Sequence, residues 1–460
     1  MASRKDLLKA HKFTTDRLVA SLVDRDPDRL DSPLRRIGMG TFASVMIGVL
    51  IMAGFGVFGL VAQGGRATQW KDSDAAIIVD SQAGLVFWYT QKRLHPMENI
   101  TSAKLAAGAG VEVTTLKTKS LKGVPRDKLL GIRDAPRQLP TTEDMGAYPL
   151  RVCGAAPVDG TRHTTMTMGD PNLDPADDTA MAMKGENNDF YLVVNGVAHV
   201  VPKEANQEVP PLLLQYEILS PGYALLNALP QGSPLDAEAI LKRVPGADEE
   251  QSQNGVGQAT RVGQLVHVAG QSGRYVLLKD GLSEISPLEH AAIQESRPNA
   301  RSIEITAAEA TLHLSKETPV LGAPDLPSDM PEVLKGQAEQ QKSICATWTA
   351  PNTPPALSTG NPTPPVVTPS VDPGVADAVV IPPLRGALIR NEEAEQGPAV
   401  TLVTEGRRFS IPDADSLNAL GYAQVPQDAV PAQIVGLIPP GLPPGGTLSI
   451  AAAQTESVPN

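Results

Sequence analysis

Phe190-Tyr-Leu-Val-Val-Asn195-Gly196-Val-Ala-His-Val-Val-Pro202 consists of two short apolar runs around an Asn-Gly pair. Asn and Gly accept the positive φ angles that a two-residue turn needs, so the stretch reads as a β-hairpin stopped by Pro202. Three other stretches share this build. Gly84 to Tyr89 leads through Thr90-Gln-Lys-Arg93 and Leu94-His-Pro96 to a helix-like run, Ser102 to Ala107. Arg274 to Leu278, Asp280-Gly281 and Leu282 to Ile285 lead through Pro287 to Leu288–Ile293. Val400 to Val403, Glu405-Gly406 and Phe409 to Ile411 lead through Pro412 to Ser416–Leu420. The recurrence predicts four hairpin-plus-helix repeats, the alternative being chance similarity among hairpins. Leu226-Asn-Ala-Leu229 recurs as Leu417-Asn-Ala-Leu420, which marks the second and fourth stretches as copies of one piece. Two pairs of similar units predict an elongated α+β body with approximate two-fold symmetry, its middle filled by the remaining sequence.

Two segments depart from this pattern. Residues 159–189 are rich in Met, Thr and Asp and read as a polar surface loop. Ala350 to Pro383 carries ten prolines, which forbid helix and predict a linker or an extended strap. Cys153 and Cys345 are the two cysteines of the chain. An even count in an oxidising compartment points to one disulfide, with two buried thiols as the alternative.

Toward the N-terminus, Ile37 to Gly65 contains no charged residue and is bracketed by Arg36 and Arg66. Its apolar part, Phe42 to Ala62, reaches about 31 Å as a helix, enough for a bilayer core of about 30 Å. A cleavable signal peptide is the competing reading, and the run is too long and lies too far into the chain for one. Gly40, Ser44 and Gly48 fall on one face of this span and would let another helix approach closely, although glycine is common in such spans in any case. Lys and Arg crowd the segment before the span, while Arg66 and Lys71 alone follow soon after. The expected orientation has a cytosolic N-terminus, a single pass through the cytoplasmic (inner) membrane and an extracytoplasmic C-terminal body. In the head, Arg4 to Val23 mixes Leu8, Phe13, Leu18, Val19 and Leu22 with Lys5, Lys9, Lys12 and Arg17. This predicts a basic amphipathic helix that rests on the membrane or docks on a partner.

Composition limits the chemistry. A net charge of −12 argues against nucleic-acid binding. A phosphate-binding P-loop requires lysine directly after its last glycine, and Gly-Lys occurs nowhere in the chain. Gly270-Gln-Ser-Gly273 and Gly64-Gly65 read as turns. His11, His95, His163, His199, His267, His290 and His313 show no metal-binding spacing, and no Gly-x-Ser-x-Gly elbow is present. No catalytic, cofactor-binding or metal-binding residue is therefore expected. Asn99-Ile-Thr101 matches a glycosylation acceptor but equally a helix cap before Ser102.

Several longer motifs resemble one family. Phe13, Arg17 and Leu18 precede Ser32-Pro-Leu-Arg-Arg36 and the anchor; then come Leu94-His-Pro-Met-Glu-Asn-Ile-Thr-Ser-Ala-Lys-Leu105 and Gly131-Ile-Arg-Asp-Ala-Pro136. Leu420-Gly-Tyr422, Leu437-Ile-Pro-Pro-Gly441 and Leu448-Ser449 close the series. Nearly the whole chain is thus similar to EccB, the membrane-anchored core component of type VII (ESX) secretion systems of actinobacteria. The resemblance implies four repeats around a central domain held by a disulfide. It also implies a structural share in a secretion channel, with an EccC-type FtsK-like ATPase, EccD, EccE and the mycosin protease as partners, and self-association. Family members have been described as ATPases, so ATP enters by resemblance only, and ATPase activity is one alternative function. The repeats also resemble phage-lysin wall-binding modules, which makes peptidoglycan binding another.

The expected organisation is a basic cytosolic head over 1–36, a transmembrane helix over 37–65 and a first repeat over 66–135. A central segment with the polar loop covers 136–185, the second repeat 186–257 and the third 258–315. A central segment with the second cysteine covers 316–349, the Pro-rich linker or strap 350–383 and the fourth repeat 384–460.

Overall fold

The structure is a computed structural model describing residues 4–23, 39–55, 70–154, 163–173, 180–204, 206–297, 301–333, 342–360, 374–391 and 400–457. It divides into two compact units. One comprises Met1–Leu85, Tyr89–Leu94 and Val113–Arg126, the other Val86–Trp88, His95–Glu112 and Asp127–Asn460.

The first unit begins with the helix Arg4–Val23, where the basic head predicts one. Leu7, Leu8, Phe13, Leu18 and Leu22 are all exposed, and the Arg17 guanidinium lies 6.0 Å from the centre of the Phe13 ring. A second helix covers 39–55 and contains Gly40, Ser44 and Gly48. Met39, Phe42, Val45, Ile47, Leu50 and Phe55 are exposed along it, the mark of a helix whose apolar surface needs another environment. Among the described residues no helix is long and apolar enough to cross a membrane. The expected span continues to Ala62, and residues 56–69 lie outside the described residues.

Beyond it, Ala75–Asp80 pairs in parallel with Val113–Leu116. Asp80 holds the turn that follows its strand, accepting from the Gln82 and Ala83 amides at 2.9 and 3.2 Å and from Thr118 Oγ1. Burial opposes the charged form of Asp80, and these hydrogen bonds override it, leaving its carboxyl below the ordinary range.

The second unit contains three four-stranded sheets of one design. In each, three consecutive antiparallel strands form a meander, and a fourth strand pairs in parallel with the first. The first of these sheets has Met181–Lys184, Phe190–Val194 and Val197–Val201, with Ile218–Leu219 beside Met181–Lys184. The next has Leu265–Val268, Arg274–Leu277 and Leu282–Glu284, closed by Ile303–Ile305. The last has Ala387–Asn391, Val400–Thr404 and Arg407–Ile411, closed by Asp428–Val430. A parallel partner requires a crossover rather than a tight turn, and the helix after each hairpin supplies it. These crossovers carry Pro211–Leu213, Pro287–Ser296 and Ala414–Leu420. Each hairpin seen in the sequence is thus the second and third strands of a larger sheet.

This topology corrects one equivalence. Leu226-Asn-Ala-Leu229 belongs to a helix, Tyr223–Ala228, that follows the fourth strand of its sheet, whereas Leu417-Asn-Ala-Leu420 belongs to a helix that precedes it. The positional counterpart of Tyr223–Ala228 is Ala432–Leu437. A four-residue apolar word suits any short amphipathic helix and does not fix its place.

A five-stranded sheet orders Ala356–Gly360, Ser343–Trp348, Leu150–Gly154, Thr164–Met168 and Ala378–Val380. Two expectations change here. The stretch 159–189, read as a polar loop, contributes strands whose Met166, Met168, Met181 and Met183 are fully buried. Its Thr-Met alternation is a strand pattern in which methionine fills the apolar face. The ends of the Pro-rich stretch are likewise strands of this sheet, while residues 361–373 lie outside the described residues.

The motifs 94–105 and 131–136 hold one another. Asn99 caps the helix Ile100–Ala107, accepting from the Ser102 amide at 2.8 Å, and its own amide donates to the Ile132 carbonyl at 2.7 Å. Thr101 donates to the Pro136 carbonyl at 2.6 Å, and the Ile132 amide to Ser102 Oγ at 2.9 Å. Gly131 has φ +122, and a Cβ there would meet Ser102 Cβ at 2.8 Å, so only glycine fits. The same helix packs on Ala414–Leu420 and Ile450–Ala453, where Gln454 donates to the Ala106 carbonyl at 3.0 Å.

Candidate functional site: a stapled central sheet

The two cysteines that the sequence singles out lie on the five-stranded sheet, whereas Gly40, Ser44 and Gly48 lie on the helix over 39–55. Cys153 and Cys345 are direct cross-strand partners, with Cα atoms 4.1 Å apart and a disulfide between them. Both are buried. The bond joins adjacent strands that are 192 positions apart in the chain.

Hairpin turns lean on this sheet from two directions. Asn195 and Gly196 both have positive φ, and a Cβ on Gly196 would overlap the Pro355 carbonyl oxygen. Glu405 and Gly406 repeat the geometry: a Cβ on Gly406 would meet the Val379 carbonyl oxygen at 2.8 Å, and the Glu405 carboxylate accepts from the Arg137 and Gln138 amides. Behind the turns, Tyr223–Ala228 packs on Ala432–Leu437. One continuous core results, running from Val193 and Leu225 through Val152, Met166, Ile344 and Trp348 to Ile389, Val403 and Ile434. Gly196→Ala is expected to cost about 1–3 kcal/mol from the backbone conformation alone, with the clash adding to it. A Tm unchanged from wild type would show that the turn does not bear on the sheet.

A second core joins the middle two sheets through Leu192, Leu213, Ile240, Leu241, Leu288 and Ile293. At its edge Glu289 is fully buried and completes a capping box with Ser286. Its carboxylate takes an ion pair from Arg243 and a hydrogen bond from the Ala323 amide. The segment after the strand Ile303–Ile305 returns here. Asp325 accepts from Ser233 through both the amide, 2.7 Å, and the hydroxyl, 2.9 Å.

Beside the sheet of Leu265–Val268, His267 and His290 meet at Ser302, whose Oγ lies 2.9 Å from both His267 Nδ1 and His290 Nε2. No sequence pattern marks this meeting, because 35 and 12 positions separate the partners. Burial, then the nearby Arg274 and His267, push the His290 imidazole down to about 4. An imidazole lowered from 6.5 binds fewer protons folded than unfolded. Its contribution is complete above about pH 6.5 and is lost as the pH falls toward 4, about 3 kcal/mol in all. Denaturant midpoints measured across that window should fall with acid in the wild type and fall less in His290→Gln; parallel curves would contradict this.

Elsewhere, Gly270 to Gly273 forms the turn between Leu265–Val268 and Arg274–Leu277, and Asn99 serves as a helix cap. Among the described residues no three His, Cys, Asp or Glu side chains converge as a metal site.

Residues 1–460 match the family model described as "Type VII secretion system ESX-1, transport TM domain B". The chain belongs to the EccB family. A curated EccB relative, the "ESX-3 secretion system ATPase EccB3" of Mycobacterium tuberculosis, is 26% identical over 315 residues. That match covers 62% of this chain and 55% of the relative, so it spans little more than half of the relative's length. Among solved structures, the "EccB3 dimer from the ESX-3 core complex" superposes with a TM-score of 0.64 at 23% identity, covering 83% of this chain and 100% of that one. A chain of the "intact ESX-5 inner membrane complex" gives 0.62 at 20% identity, covering 100% and 96%. The EccB fold is therefore shared: a mixed α+β body of several sheets.

Proposed function

We propose that this EccB chain is a structural core component of a type VII secretion complex of the inner membrane. The family match along residues 1–460 carries the reading, and the similarity in fold to chains of ESX inner-membrane complexes supports it. In this reading a single pass over 37–65 anchors the chain, with the basic head cytosolic and the sheets extracytoplasmic. The second and fourth repeats flank the stapled sheet, related by an approximate two-fold axis near the contact of Tyr223–Ala228 with Ala432–Leu437. Gly40, Ser44 and Gly48 form the face that meets another membrane helix. The partners are a second copy of the chain, an EccC-type FtsK-like ATPase, EccD, EccE and a mycosin protease.

Deleting residues 1–36 should prevent assembly while leaving the disulfide-linked body folded; normal assembly and export by that truncation would refute the anchoring role of the head. Extraction of tagged full-length protein in mild detergent should recover a megadalton-scale particle containing the motor ATPase and a polytopic partner. Recovery as a lone monomer or dimer would overturn the scaffold reading.

The curated relatives' names carry an ATPase activity, which is the alternative. A chain without Gly-Lys has no orthodox loop for phosphate, and the scaffold reading assigns ATP turnover to the motor partner. Phosphate release that stays with the chain through repeated purification would favour the alternative. Peptidoglycan binding is compatible with the scaffold role, and cosedimentation with cell wall tests it.

A further inference from the structure

A groove of about 460 Å³ lies between the middle two sheets of the second unit. Its floor is apolar, formed by the buried side chains of Val201, Leu212, Leu235, Ala237 and Ala292. Its rim carries four acids, Glu204, Asp236, Glu238 and Glu295, and two bases, Lys203 and Arg297. Both bases are engaged. Lys203 Nζ lies 5.6 Å from the centre of the Phe190 ring, and Arg297 donates to Asp248 at 2.6 Å. Glu238 is paired with Lys242 at 2.9 Å, and Asp236 caps the helix Ala237–Lys242 by accepting from the Glu238 amide at 3.1 Å. Glu204 and Glu295 remain, both exposed and without an ion-pair partner among the described residues.

We propose that this groove docks a cationic segment of a partner polypeptide, a lysine or arginine whose methylene stem lies on the apolar floor while its charged head meets Glu204 and Glu295. Long basic side chains divide in just this way between apolar surface and polar rim. Charge selects the occupant: an acidic segment would face two unpaired carboxylates, and a purely apolar one would leave both without a counterion. The groove is walled by Pro211–Leu213 and Ala237–Lys242 on one side and by the helix Pro287–Ser296 on the other, so a bound segment would bridge the connections of the two sheets. The inference rests on the scaffold reading for its biological partner, but its test uses the chain alone and can fail without touching that reading.

The probe is a fluorescein-labelled hexapeptide of alternating lysine and valine, too short to form a membrane-binding helix. Its anisotropy is followed on full-length protein in detergent, with empty micelles as blank and a glutamate-valine hexapeptide as counter-probe. Saturable binding of the lysine peptide alone is expected, weakened at least about tenfold in the double variant Glu204→Lys, Glu295→Lys and weakened by salt. Both positions are exposed, so the variant should keep the wild-type melting curve. Equal binding to wild type and variant would place the site elsewhere, and absence of saturable binding, or equal binding of the acidic peptide, would overturn the proposal.

Discussion

Arg243→Ala should lower the stability of the second unit by about 4 kcal/mol, within the range seen when one member of a buried ion pair is removed. The charge left behind decides the size. The side chain of Glu289 is only 1% exposed, while the Arg243 side chain reaches solvent at 36%. Without the guanidinium, the carboxylate keeps only its hydrogen bonds from the Ser286 and Ala323 amides. It is then left without its counterion in an apolar setting, which is costly. Arg243 also donates to the Leu321 carbonyl at 3.2 Å, so the returning segment 319–333 loses a tether at the same time. Pairing Arg243→Met with Glu289→Gln should restore part of the loss, because the neutral amide leaves no orphan charge and its oxygen still accepts from the Ser286 and Ala323 amides. A double variant as unstable as Arg243→Ala would mean that the side-chain packing, not the charge, was at stake. Urea denaturation of both variants decides the matter.

Removing the disulfide is the second large effect. Cys153→Ser with Cys345→Ser should cost about 4 kcal/mol, since the bond closes a long loop in the unfolded chain and such losses run to about 5. The loss should be larger than that of Gly196→Ala, and it should appear equally when wild type is unfolded in excess reductant. Equal stability of oxidised and reduced protein would show that the sheet's hydrogen bonds and core suffice alone. Because the cysteines face each other across antiparallel strands, serine at both positions is not expected to shift the register, which the surrounding Val152, Ile344 and Ala346 fix through burial.

Much of this was legible in the residues. Asn195-Gly196 and Glu405-Gly406 each turn a hairpin with positive φ at both residues, and Asp280-Gly281 does so with positive φ at Gly281 alone. Local chemistry was enough. The outer strands of each sheet were missed for the opposite reason. Ile218–Leu219 and Ile303–Ile305 are two and three residues long, and they become strands only by lying beside a strand far back in the chain. Thr164–Met168 misled because methionine and threonine read as loop composition until their alternation is tied to a buried face. The motifs behind the family resemblance have structural reasons: Asn99, Thr101, Ser102 and Gly131 form one hydrogen-bonded lock. The groove and the His267–Ser302–His290 cluster could not be read in advance, since each unites residues from distant parts of the chain.

The strand order of the central sheet has a consequence for the timing of folding. Leu150–Gly154 and Thr164–Met168 precede the two middle sheets in the chain, while Ser343–Trp348 and Ala356–Gly360 follow them. The middle sheets are therefore a domain insertion within the central one. A chain made from its amino end presents the early strands as an open edge, then the whole insertion, and only afterwards the strands that close the sheet. Until then the exposed edge of Leu150–Gly154 is free to pair with any strand nearby, including the same edge of a neighbouring copy. The insertion sets a minimum delay before self-closure, the interval in which the open edge is exposed to strand exchange with another copy.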